Sequence, residues 1–129
     1  MAATLLDELL RDAQPIWEAM TEHPFLRELA TGQLPRERFD FWVQQDYLFV
    51  QAGIRFLALL IARAPDEELR RGLLDAAVAF RNELAIFEDY ARAHNLTLVV
   101  EPTPVCLGYA SYLLATAATG SLAEALTVL

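Results

Sequence analysis

Asp46 has the surroundings that most need a chemical explanation. It lies within Phe39-Asp40-Phe41-Trp42-Val43-Gln44-Gln45-Asp46-Tyr47-Leu48-Phe49-Val50, a carboxylate midway along a segment apolar over most of a helical circumference. A helix this apolar is expected to be buried on most sides, where Gln44, Gln45 and Asp46 must find partners or face a cavity. Phe49 lies three residues on and Phe39 seven back, so both rings share the helix face of Asp46. An acid flanked by aromatic planes suits a flat, protonatable heterocycle. The rings stack on it, and the carboxylate accepts from a ring or exocyclic N–H. A core Asp bonded to a neighbouring helix fits the pattern equally well, and sequence leaves both readings open.

Glu83 repeats the pattern in weaker form, with Phe80 and Phe87 on roughly its own face. A structural ion pair is the preferred reading there, since buried acids are mostly paired. Glu88 and Asp89 read as a solvated face. Tyr109 and Tyr112 stand three apart, with Gly108 and Ala110 leaving room beside them. Core packing, with a hydroxyl bonded across the bundle, is the default reading for them, and a pocket wall the alternative. Cys106 falls in the first turn of the same segment, where a helix dipole lowers a thiol pKa. No base stands at an obvious offset to activate it, so it reads as a small buried hydrophobe. His23 and His94 sit at a helix start and a helix end. The Glu-x-x-His pairs of di-iron bundles, Cys-x-x-Cys, phosphate loops and Gly-x-Ser-x-Gly are absent from the sequence. No metal and no cofactor is expected.

The elements that must position these residues are helices divided by sparse Pro and Gly. Leu5, Leu6, Leu9, Leu10, Ala13, Ile16 and Trp17 give helical spacing from Thr4 to about Thr21, with Pro15 expected to bend or restart it. His23-Pro24-Phe25 opens a short turn of helix ending near Gly32. Leu34-Pro35-Arg36-Glu37 starts a long helix to Ala64, with Gly53 the weak point of its continuity. Pro65-Asp66-Glu67-Glu68 starts another to His94, acids at the positive end of its dipole. Asn95 to Glu101 is a connection. Pro104 opens a helix closed by Gly120, and Ser121 with Glu124 forms a capping box for a last apolar helix. That helix stops at Thr127-Val128-Leu129 without a stop signal. The expectation is that 129 residues are not the natural unit.

Composition narrows the function. The 129 residues suffice for one domain with a core, and no linker or repeat divides 1–129. Ten basic residues, all Arg, against eighteen acids give a net charge of -8, which argues against a nucleic-acid partner. Apolar residues at 55% exclude a disordered chain. A single cysteine fits a reducing compartment. The acidic start is not a signal peptide. Apolar runs such as Phe56 to Ala62 are bracketed by Arg55 and Arg63, so no membrane span is expected. Together these point to a cytoplasmic protein.

Several phrases taken in order resemble the TenA/thiaminase II family. They are Glu22-His23-Pro24-Phe25, Gly32-Gln33-Leu34-Pro35, Phe39 with Gln45-Asp46-Tyr47-Leu48, Pro102-Thr103-Pro104, the Tyr109 segment and Gly120-Ser121-Leu122-Ala123-Glu124-Ala125-Leu126. The resemblance runs over nearly the whole chain. It implies an all-α, haem-oxygenase-like bundle without haem, present here apparently without its C-terminal helices, and a homo-oligomer (dimer or tetramer). It also implies hydrolysis of aminopyrimidines: amino-HMP to hydroxymethylpyrimidine in thiamin salvage, and thiamin cleavage in some members. Asp46 matches the pyrimidine-binding Asp and Tyr109 a pocket Tyr. Phe49 falls where many members carry Tyr, which keeps stacking and loses a hydroxyl. Glu83 matches a family Glu. The family's nucleophilic Cys follows a Leu-Pro-Cys phrase that would begin just after Leu129, and its acid/base Glu lies further on. Cys106 matches neither, so no catalytic residue is assigned within the chain. The rival expectation is a non-catalytic helical module for oligomerisation or regulation. A metal or redox relative is disfavoured by the positions of His23 and His94.

Overall fold

A computed structural model of the protein describes residues 4–128. Among these the chain forms α-helices and connections, with no strand. The helices are α1 (Leu5–Thr21), α2 (Pro24–Ala30), α3 (Arg36–Arg63), α4 (Glu67–His94), α5 (Pro104–Thr119) and α6 (Leu122–Thr127). Contacts divide the chain between Phe39 and Asp40 into two compact units.

In the first unit, Thr4 caps α1 by accepting from the Asp7 N–H, and Asp7 returns a bond from the Thr4 N–H at 2.8 Å. The helix runs through Pro15 as one element, forgoing the single bond that Pro cannot donate. The His23 side chain accepts from the Phe25 N–H, with Pro24 following it into α2. Gly32 takes φ +70, a left-handed turn that favours glycine. Arg38 pairs with Glu28 at 3.3 Å. Neither α1 nor α2 contains a buried residue.

In the second unit, Phe56, Leu57 and Leu60 of α3 pack with Leu73 of α4, Leu113 and Ala117 of α5, and Ala125 of α6. This core stripe follows the helical period read from the sequence. Gly53 is where α3 and α4 close up, because a Cβ there would meet the Phe80 ring at 2.4 Å. The Arg63 guanidinium donates to the carbonyls of Ala117 and Gly120, satisfying backbone acceptors at the end of α5. The Ser121–Glu124 capping box starts α6 as the sequence indicated. Asn95 ends α4 in the left-handed region at φ 54.

Two expectations need correction. α3 is not buried on most sides among the described residues: Phe41 is 54% and Leu59 38% exposed, while the buried positions line one side. α3 is also long and apolar enough to cross a membrane, contrary to the reading of short bracketed runs. The helix carries on through Arg55, which lengthens the apolar stretch. Its buried side is a core stripe packed on α4, α5 and α6.

Candidate functional site

Asp46 projects from the middle of α3 and is half-buried. Its two glutamine neighbours find partners in the 95–103 connection. Gln44 Nε2 donates to the Thr97 carbonyl at 2.8 Å and Gln45 Nε2 to the Glu101 carbonyl at 3.2 Å. Gln45 Oε1 accepts from the Thr103 N–H at 2.7 Å. Asp46 itself accepts no hydrogen bond among the described residues. Loss of water by burial, and then the charge of Glu83 on α4, push its carboxyl above the ordinary range. A half-buried acid in this state is a basic acceptor open to a donor that burial has not supplied.

Phe49, one turn on, stacks on Tyr109 of α5 with ring centroids 5.0 Å apart and planes 16° apart. Since the two rings occupy each other's faces, they form a single wall rather than a slot between them. The Tyr109 hydroxyl donates to the Val128 carbonyl at 3.2 Å, the cross-bundle bond foreseen for one of the two tyrosines. The ring stays 42% exposed. Glu83 is half-buried. The ion pair preferred for it does not form among the described residues. Glu88, read as solvated, accepts from the Tyr47 hydroxyl at 3.1 Å, while Asp89 pairs with Arg92 at 3.0 Å.

Cys106 enters this neighbourhood from the first turn of α5. Its thiol donates to the Gln45 carbonyl at 3.4 Å. Burial, then the Asp46 charge, raise its pKa, outweighing the lowering that a helix start alone provides. The thiol is therefore held in its unreactive form, as a small packed side chain.

The fold thus brings Asp46, Phe49, Glu83 and Tyr109 into one neighbourhood of α3, α4 and α5. None of these four residues lines either of two open hollows of the surface. One, of about 390 Å³, is lined by residues of α5 and α6 such as Tyr112, Thr116 and Glu124. The other, of about 330 Å³, is lined by Ala91, Arg92, Asn95, Leu96 and Thr97. Sequence reasoning missed the bracket made by Gln45. Its signal was present in two adjacent glutamines inside an apolar helix, a costly arrangement unless both amides are bonded.

The chain is thus an all-helical protein with a half-buried acid beside an aromatic wall, and comparison gives its family. Residues 10–129 match the TENA/THI-4/PQQC family, and the chain belongs to that family. An aminopyrimidine aminohydrolase from Helicobacter pylori is 34% identical over 121 residues, covering 90% of this chain and 56% of that protein. One from Halalkalibacterium halodurans is 32% identical, covering 90% and 54%. The chain therefore spans little more than half the length of these relatives. A TenA homologue from Pyrococcus furiosus superposes with a TM-score of 0.91 at 34% identity, over 96% of this chain and 60% of that one. A TenA family transcription regulator from Silicibacter sp. superposes at 0.90 and 25% identity, over 98% and 59%.

Proposed function

We propose that this chain supplies the ring-binding part of an aminopyrimidine hydrolase of thiamin salvage. The observation that carries the reading is Asp46: a half-buried carboxylate without a hydrogen-bond partner among the described residues, one turn from the Phe49–Tyr109 wall. An aminopyrimidine offers donors for the carboxylate and a flat face for the wall. A carboxylate made more basic by burial, and then by Glu83, favours the protonated, more electron-poor ring, the form that a nucleophile attacks most readily. In the same reading Glu83 tunes Asp46 rather than pairing with a cation. Amino-HMP is the preferred substrate and thiamin the second. No residue of this chain is assigned as the nucleophile or as the acid/base group. We further read 1–129 as one domain of a cytoplasmic homo-oligomer.

A second reading is a non-catalytic assembly or regulatory module. It is favoured by α1, where Leu5, Leu6, Leu10, Ile16 and Trp17 are all more than 60% exposed, an apolar surface suited to a partner. Incubating the purified protein with amino-HMP or thiamin, and resolving the products by chromatography, separates the two. Hydroxymethylpyrimidine formed by wild type and not by Asp46→Ala supports the hydrolase. Pyrimidine binding that is lost in Asp46→Ala supports the ring-binding reading with or without turnover, and absence of binding overturns it and leaves the assembly or regulatory module.

A further inference from the structure

The 95–103 connection is tied to α3 at Gln44 and Gln45 and then leads into α5, so something must set the register at which α5 begins. Gln45 meets that need with three bonds. Its amide donates to the Glu101 carbonyl and accepts from the Thr103 N–H, and its own carbonyl accepts from the Cys106 thiol. Thr103 is the N-cap of α5, its hydroxyl accepting from the Cys106 N–H at 3.2 Å. A carbonyl on one side and an N–H on the other admit only one orientation of the amide. No side chain of this length other than Gln offers both a donor and an acceptor there. Cys106 and Tyr109 lie three residues apart on α5, as Asp46 and Phe49 do on α3. The same turn of helix therefore links the Gln45 bracket to the Phe49–Tyr109 stack.

We propose that Gln45 is a positioning residue. By gripping both sides of the α5 N-cap it fixes the register that stacks Tyr109 on Phe49 beside Asp46. The inference rests on the aminopyrimidine reading of that site and adds to it a residue that touches no ligand. Gln44 is the matched control: it also ties the connection to α3, but at Thr97, six residues before the N-cap.

The test compares wild type with Gln45→Met, Gln45→Glu and Gln44→Met, using amino-HMP as the calorimetric probe and hydrogen exchange of the 101–110 segment as the structural readout. Gln45→Met loses both side-chain bonds and should weaken binding at least about tenfold and speed exchange of the segment by a similar factor. Gln45→Glu keeps the acceptor for the Thr103 N–H but sets a carboxylate against the Glu101 carbonyl, so its affinity should fall between those of wild type and Gln45→Met. Gln44→Met should leave affinity unchanged. If Gln45→Met does not fold, the contrast between Gln45→Glu and Gln44→Met decides. Wild-type affinity in Gln45→Met, equal losses in Gln44→Met, or a Gln45→Glu variant that loses binding as fully as Gln45→Met overturns the positioning role alone. Absence of binding by wild type overturns the aminopyrimidine reading, and the positioning role with it.

Discussion

The rings of Phe49 and Tyr109 stack 5.0 Å apart with planes tilted by 16°, tying α3 to α5 one turn from Asp46. The contact joins residues sixty apart in sequence, so it forms only when the 95–103 connection has folded back across α3. A double-mutant cycle with Phe49→Leu and Tyr109→Leu, read by urea unfolding, should give a coupling of about 0.5–1.5 kcal/mol. Tyr109→Phe should keep that coupling, since it removes only the exposed bond to the Val128 carbonyl. Strict additivity of the two single changes would show that the rings do not support each other.

Asp46 gives a pH dependence of defined sign. Its folded pKa lies above the unfolded value, so its contribution to stability is present at acidic pH and is lost as pH rises through the folded pKa. Asp46→Asn removes a desolvated charge and its repulsion by Glu83. At neutral pH the variant should be more stable than wild type by on the order of 0.5 kcal/mol, solvent screening keeping the gain small. Below the unfolded pKa the gain should vanish. Thermal melts of both proteins across the acid range check this, and a variant less stable at neutral pH would mean that the carboxylate holds the fold together.

Cys106 should titrate above an ordinary thiol, for its pKa is raised by burial and by Asp46. Alkylation by iodoacetamide at neutral pH should therefore be slower than that of a free cysteine. Asp46→Asn should quicken it by lowering the thiol pKa, with burial left as the remaining cause. A rate equal to that of free cysteine would place the thiol in open solvent.

Gly53→Ala tests the close approach of α3 and α4. Helix propensity alone would favour Ala by about 1 kcal/mol. The new Cβ, however, would stand 2.4 and 2.8 Å from two atoms of the Phe80 ring, and overpacking costs about 1–3 kcal/mol. The net change should be destabilising by about 1 kcal/mol, and Phe80→Leu in the same chain should relieve it. A stabilised Gly53→Ala protein would mean that the ring moves aside freely.

The helices were largely legible because their ends carry local chemistry. Asp66, Thr103 and Ser121 cap α4, α5 and α6 through their own side chains, and such bonds depend only on residues three apart. Asp46 was legible as an anomaly for the same reason, a charge in an apolar period. Its convergence with Glu83 and Tyr109 was not legible, because it depends on how three helices pack. The ion pair preferred for Glu83 failed on that ground, since pairing is decided by which cation a neighbouring helix presents. Gln45 was visible as a polar side chain needing partners, and only the path of the 95–103 connection reveals that they are backbone groups of the α5 start.

Calorimetric titration of amino-HMP into wild type and Asp46→Asn at neutral pH bears on the account as a whole. Asn keeps the shape and loses the charge. If the carboxylate holds the pyrimidine, wild type should bind and the variant should bind at least about tenfold more weakly, the loss of one charge-assisted hydrogen bond. Equal affinity in the two proteins, or tighter binding by Asp46→Asn, would contradict the assignment of Asp46 as the group that holds the ring.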